Sequence, residues 1–205
     1  MIRAFLAVEL PEGLRSRLAQ VQEDLRQRLS RRFSNRVRLS WVQPASIHLT
    51  IQFLGDTDEI VIEPMRVAVA RAMEGYRPIH IPLERLGVFP RLQQPRVLWV
   101  GPSESWEQGE DAKRLAEWHR AVEACGRAVG FVPDGRSLSP HLTLARIKEG
   151  EREFGQILAR SGVLDRPTEI GTLPIASIVL MKSDLRPTGP VYTKIWEVGG
   201  EKGQS

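Results

Sequence analysis

Two of the chain's four histidines stand in the same triplet, His48-Leu49-Thr50 and His141-Leu142-Thr143. Threonine fills only 7 of 205 positions, so two of four histidines meeting it at one offset by chance has a probability of about one per cent, before the shared leucine is counted. A pair of imidazoles suits phosphodiester hydrolysis, in which one proton leaves the attacking water and another reaches the departing oxygen. With an ordinary pKa of about 6.5, one ring can be neutral while the other is protonated. Cyclic phosphates need no metal if that division holds. Threonine hydroxyls two residues on would donate hydrogen bonds to the non-bridging oxygens as charge builds there.

Such a site needs both side chains on one face of a rigid support. In a strand, residues two apart share a face, so His48 and Thr50 point one way while Ile47, Leu49 and Ile51 point into a core. His141 and Thr143 do the same over Leu142 and Leu144. Phe53 falls on the core face with Leu49 and Ile51. Arg146, three positions past Thr143, lies opposite the threonine by alternation, and only a bulge or a strand end would turn it inward.

The supporting elements follow from periodicity. Ile2–Glu9 reads as a strand, and after Pro11 a long helix carries Leu14, Leu18, Val21, Leu25 and Leu29 on one side. Strands are predicted over Val37–Val42 and Ile47–Leu54, the latter closed by Gly55-Asp56. A helix follows over Glu59–Glu74, then extended segments over Ile79–Leu86 and Arg96–Val100 with a turn at Gly87-Val88-Phe89-Pro90. A third helix bears Leu115, Trp118, Val122, Cys125 and Val129. After it come a polar loop, Pro133–Pro140, the second motif strand, His141–Ile147, and a short helix, Glu151–Arg160. Strands over Ile170–Met181 and Val191–Val198 complete the chain. Short turns between several strands favour antiparallel pairing and an α+β class. Each half carries a helix, a loop ending in proline, a His-Leu-Thr strand and another helix, as a duplicated half-fold would.

Bulk properties narrow the class. At 205 residues, 41% hydrophobic and 26% charged, one core is expected: a single domain over 1–198 and a loose tail over 199–205. The apolar start carries Glu9 and lacks a small-residue cleavage site, no run reaches membrane-spanning length, and the cytoplasm is the expected address. One cysteine, Cys125, excludes an internal disulfide, and no spacing suggests a metal site. Only 5 of the 29 basic residues are lysine. Arginine forks suit phosphate, although codon bias in a GC-rich genome is the simpler account of that excess.

The remaining polar and aromatic candidates have plainer readings. His80 reads as a structural or solvent-facing strand residue, His119 as a partly buried helical one, and Cys125 as core. Trp99, Trp118 and Trp196 read as packing residues. Asp56, Asp58 and Glu59 fit a solvated turn and helix start.

The segments Arg3–Val8, His48–Gly55, Gly87–Pro90 with Pro95–Trp99, Pro140–Arg146 and Ser183–Tyr192 resemble, in order and spacing, the two-histidine phosphoesterase superfamily. The similarity is to its RNA 2',3'-cyclic phosphodiesterase branch, also called 2'-5' RNA ligases, and it spans nearly the whole chain. The resemblance implies a bilobal, pseudo-twofold α+β fold whose two antiparallel sheets line a central cleft, with helices outside. It implies hydrolysis of a terminal 2',3'-cyclic phosphate on RNA to a 2'-phosphate, without a cofactor. It casts His48 as the acid on the departing 3' oxygen and His141 as the base on water, with Thr50, Thr143 and an inward Arg146 on the phosphate. The expected partners are RNA ends or nucleotides bearing that cyclic phosphate, met by a monomer. Two other functions stay open from the residues: a nucleotide- or RNA-binding module without turnover, and a phosphodiesterase or ligase acting on 2'-5' linked oligonucleotides.

Overall fold

A computed structural model of the chain describes residues 1–132, 137–186 and 189–199. Four residues of the expected polar loop (133–136), Pro187-Thr188 and residues 200–205 of the expected tail lie outside these.

The first half runs β1 (Ile2–Glu9), α1 (Glu12–Ser30), β2 (Arg38–Trp41), β3 (His48–Thr57), α2 (Ile62–Met73), β4 (Ile79–Leu83) and β5 (Arg85–Phe89). The second runs β6 (Val97–Gly101), the short α3 (Glu104–Glu107), α4 (Glu110–Ala128), β7 (Leu142–Glu149), α5 (Glu151–Ser161), β8 (Gly171–Ile175) and β9 (Ser177–Arg186), and β10 (Gly189–Gly199) follows. With β2 of the first half and α3 of the second set aside, the series strand, helix, motif strand, helix, strand, strand occurs twice. Pairing is antiparallel throughout the described strands, and the chain is α+β, as the short turns predicted.

The eight-stranded sheet has the order β10-β9-β1-β3-β7-β6-β5, with β2 also on β7, and β4 pairs with β8 in a second sheet. The halves exchange strands: β5 pairs with β6 and β9 pairs with β1. The larger sheet is joined at its middle by one pair, Leu49 with Leu142. These are the central residues of the two triplets, so the motifs meet on the pseudo-twofold axis.

Apolar spacing explains most of the core. Leu14, Leu18, Leu25 and Leu29 of α1, Met65, Val69 and Met73 of α2, and Leu115, Trp118 and Val122 of α4 are buried against the back of the sheet. Several expectations are corrected. Val21 is only half-buried, and Gln22 takes the inward place. Gly55 and Asp56 belong to β3 rather than closing it, and the Glu59–Glu74 helix opens with a 3-10 turn, Glu59–Val61, capped by Asp58. Ile170–Met181 is two strands in two sheets, broken at Ala176. Cys125 is half-buried rather than core. Among the described residues no helix is long and apolar enough to cross a membrane.

The expected turn at Gly87-Val88-Phe89 is instead strand β5, with Gly87 opposite Trp99. The glycine is there for packing, since a Cβ at position 87 would overlap the Trp99 indole. Gly87→Ala is expected to destabilise the protein by about 1–3 kcal/mol through overpacking, read as a lower denaturant midpoint, and Trp99→Phe in the same chain should recover part of the loss. An unchanged midpoint would show that the indole has room to move.

Candidate active site

Both motif histidines are anchored alike. His48 Nδ1 lies 2.8 Å from the Ser46 carbonyl and His141 Nδ1 lies 2.8 Å from the Ser139 carbonyl. A carbonyl only accepts, so each Nδ1 carries the hydrogen, and Nε2 is left to take or give a proton. The antiparallel pair Leu49–Leu142 sets His48 toward the side of Thr143 and His141 toward the side of Thr50. Both threonines are half-buried, above the fully buried Leu49 and Leu142.

Aromatic walls hold the two rings. Phe5 is tilted against His48 at 4.8 Å between centroids, and Tyr192 meets the same ring edge-on at 5.2 Å. On the other side Phe89 meets His141 edge-on at 4.9 Å, and Phe89 stacks on Trp99 at 5.1 Å. A groove of about 610 Å³ extends from His48 past Tyr192 toward Arg15 and Lys194. Both of those cations are paired with Glu9, at 3.8 and 2.5 Å.

Burial pushes both imidazole pKa values below 6.5; the backbone carbonyls act the other way, and the positive charge of Arg146 adds to the lowering at both rings. His141 also lowers His48. Both histidines and Arg146 thus share one electrostatic neighbourhood.

Arg146 reaches that neighbourhood because β7 is bulged. Leu98 pairs with Ala145 and Trp99 with Thr143, so Leu144 is an extra residue against β6. Leu144 and Ala145 are consecutively buried, and the exposed Arg146 returns to the face of Thr143. The device recurs in β3, where Leu6 pairs with Gln52 and Ala7 with Thr50, leaving Ile51 extra. Phe53 is turned outward there and is 74% exposed, which corrects its assignment to the core. Counted from the histidines, Phe53 and Arg146 hold equivalent positions.

The structure thus gathers His48, Thr50, His141, Thr143 and Arg146 at the joint between the halves. His80 is exposed on β4 and His119 is buried in α4, both away from this face. Trp99, Trp118 and Trp196 are buried packing residues. Phe5, Tyr192 and Phe89 border the site and carry no residue-type signal of their own. For Phe53 the available signal was its equivalence to Arg146, five residues after its histidine. Among the described residues no group of three or more His, Cys, Asp or Glu side chains is placed to hold a metal.

The chain matches the LigT-like phosphoesterase family model over residues 8–99 and 108–192. It is 32% identical over 192 residues to the RNA 2',3'-cyclic phosphodiesterase of Methanothermobacter thermautotrophicus, covering 94% of this chain and 95% of that one. It is 30% identical to the enzyme of the same name from Aquifex aeolicus, covering 85% and 88%. Among solved structures, TT0787 of Thermus thermophilus superposes with a TM-score of 0.71 at 28% identity, covering 99% of this chain and 100% of that one.

Proposed function

The chain belongs to the LigT-like phosphoesterase family, and from that membership we propose that it hydrolyses the terminal 2',3'-cyclic phosphate of RNA to a 2'-phosphate. The observation that carries this reading is the pair of axis-related imidazoles, each with Nδ1 tied to a carbonyl and Nε2 left for proton transfer, beside one arginine. His141 takes a proton from water as its oxygen attacks phosphorus. The bond to the 3' oxygen breaks, and His48 gives that oxygen its proton. Thr50, Thr143 and Arg146 hold the non-bridging oxygens, whose charge rises in the transition state. Phe53, exposed on the same face, offers a ring for a base to stack on. No step draws on a cofactor.

The exchange of β5 and β9 between halves supports reading 1–198 as one folding unit. With both triplets in one chain, a monomer holds a complete site. A cytoplasmic location fits an RNA-end substrate and the single free cysteine.

The test is incubation, with chelator present, with an RNA oligonucleotide ending in 2',3'-cyclic phosphate, followed by identification of the end formed. A new 2'-phosphate is expected. A 3'-phosphate, or activity abolished by the chelator, would overturn the mechanism, and retained binding without turnover would favour the binding module. The pH dependence follows from the lowered pKa values. The working form has one imidazole protonated and one neutral, so kcat/KM should peak between the two macroscopic pKa values of the pair. Burial and Arg146 lower each imidazole from 6.5, so the maximum is expected on the acid side of 6.5. A maximum above neutrality would contradict the lowering of the two imidazoles by burial and Arg146.

A further inference from the structure

The two bulges that orient Arg146 and Phe53 are each gripped from behind by a buried polar side chain of a helix. Gln22 of α1 is 1% exposed, and its Nε2 donates to the Leu144 carbonyl at 2.8 Å and to the Val42 carbonyl at 2.8 Å. His119 of α4 is 6% exposed, and its Nε2 donates to the Ile51 carbonyl at 3.0 Å. Leu144 and Ile51 are the extra residues of the two bulges. The grips cross the halves, since α1 holds β7 and α4 holds β3.

The two side chains are also equivalent in their helices. Leu18, Gln22, Leu25 and Leu29 are buried on α1 at the same spacing as Leu115, His119, Val122 and Gly126 on α4. Each helix therefore presents an apolar stripe interrupted once by a hydrogen-bond donor, and both interruptions meet a bulge. Polar groups in such a stripe are costly unless paired, so one at each equivalent place, aimed at the irregular residue of a motif strand, has a specific use.

We propose that Gln22 and His119 are positioning residues that lock the Leu144 and Ile51 bulges and thereby keep Arg146 and Phe53 on the active face. A one-residue slip in a strand moves every later side chain to the opposite face. For β7 that slip would turn Arg146 away from the histidines. Leu144 also accepts from Val42 N at 2.9 Å, so Gln22 closes a bridge across β2 and β7 that a slipped strand would lose. Without the amide, the Val42 carbonyl would lose its bond from Gln22 and the bulge its tie to α1. His119 does the corresponding work for Ile51 with a ring instead of an amide.

The catalytic consequence rests on the phosphate-holding role given to Arg146 above, but its orientation can be tested without substrate. The imidazoles of His48 and His141 report it, since Arg146 lowers the pKa of both. In NMR titrations of the ligand-free protein, Arg146→Ala should raise both pKa values. Gln22→Met, which keeps the bulk and removes the donor, should raise them as well, and Gln22→Met with Arg146→Ala should raise them no further than Arg146→Ala alone. Gln22→His, which supplies the donor of the other half, should return them toward the wild-type values. If Gln22→Met does not fold, Gln22→Asn, whose amide ends one methylene short, takes its place.

A folded Gln22 variant whose titrations match the wild type, while those of Arg146→Ala move, overturns the proposal; so does additivity in the double variant. A chain that does not hydrolyse the cyclic phosphate would refute the function proposed above and leave these titrations interpretable. On the other bulge, His119→Leu should raise KM for the RNA substrate with kcat unchanged, and add nothing in a Phe53→Ala background. Independent losses there would overturn the assignment of His119.

Discussion

Replacing either His48 or His141 with alanine is expected to lower kcat on RNA ending in 2',3'-cyclic phosphate by about 100- to 10,000-fold, the range that a positioned general acid or base supplies. The two losses do not multiply. One proton must arrive as the other leaves, so removing either member disables the pair, and the double variant should be about as slow as the slower single one. Folding should survive, because each ring is only partly buried and its Nδ1 bonds a carbonyl two residues back. A substrate with a better leaving group separates the roles: the His48→Ala variant regains rate, because the departing oxygen no longer needs a proton, and the His141→Ala variant does not. Equal rescue of both would refute the assignment of acid and base, and full activity in either single variant would refute the pair.

The chemistry of the site was more legible in the sequence than its geometry. Regular alternation is enough to mount His48 over Leu49 and His141 over Leu142, and apolar residues at three- and four-residue steps are enough to lay α1 and α4 on the sheet. What alternation cannot carry is an extra residue. Neither Ile51 nor Leu144 differs in type from a regular strand residue, so nothing local says that Phe53 faces out or that Arg146 faces in. The same holds for β5: Gly87 and Pro90 read as a turn, whereas the glycine's missing side chain serves Trp99 on the next strand. Apolar periodicity selects Val21 over Gln22, while the backbone groups that Gln22 satisfies lie 20 and 122 positions away. Exchange of β5 and β9 between the halves is likewise a long-range outcome, and the triplet repeat pointed to duplication without showing it.

Arg146→Ala should lower kcat by about 100- to 1,000-fold, the loss that follows removal of one strong donor from developing charge on oxygen. The arginine is the one charged group among the three proposed phosphate contacts, and a charge-assisted hydrogen bond is roughly twice as strong as a neutral one. Thr50→Val and Thr143→Val should each cost less. Lysine at 146 keeps the charge but not the two-pronged geometry, so Arg146→Lys should fall between wild type and Arg146→Ala. The same substitution also acts on the proton pair. With the cation gone, protonating either imidazole becomes easier, so both pKa values rise toward 6.5 and the kcat/KM maximum moves to higher pH. A purely structural arginine would lower activity without moving that maximum, and one that only attracts substrate from a distance would raise KM, leave kcat intact and lose its effect in high salt. A fall in kcat together with an alkaline displacement of the optimum is the outcome peculiar to a guanidinium that the Leu144 bulge sets beside both histidines. It requires the arginine to act on the phosphate and on the imidazoles from one position.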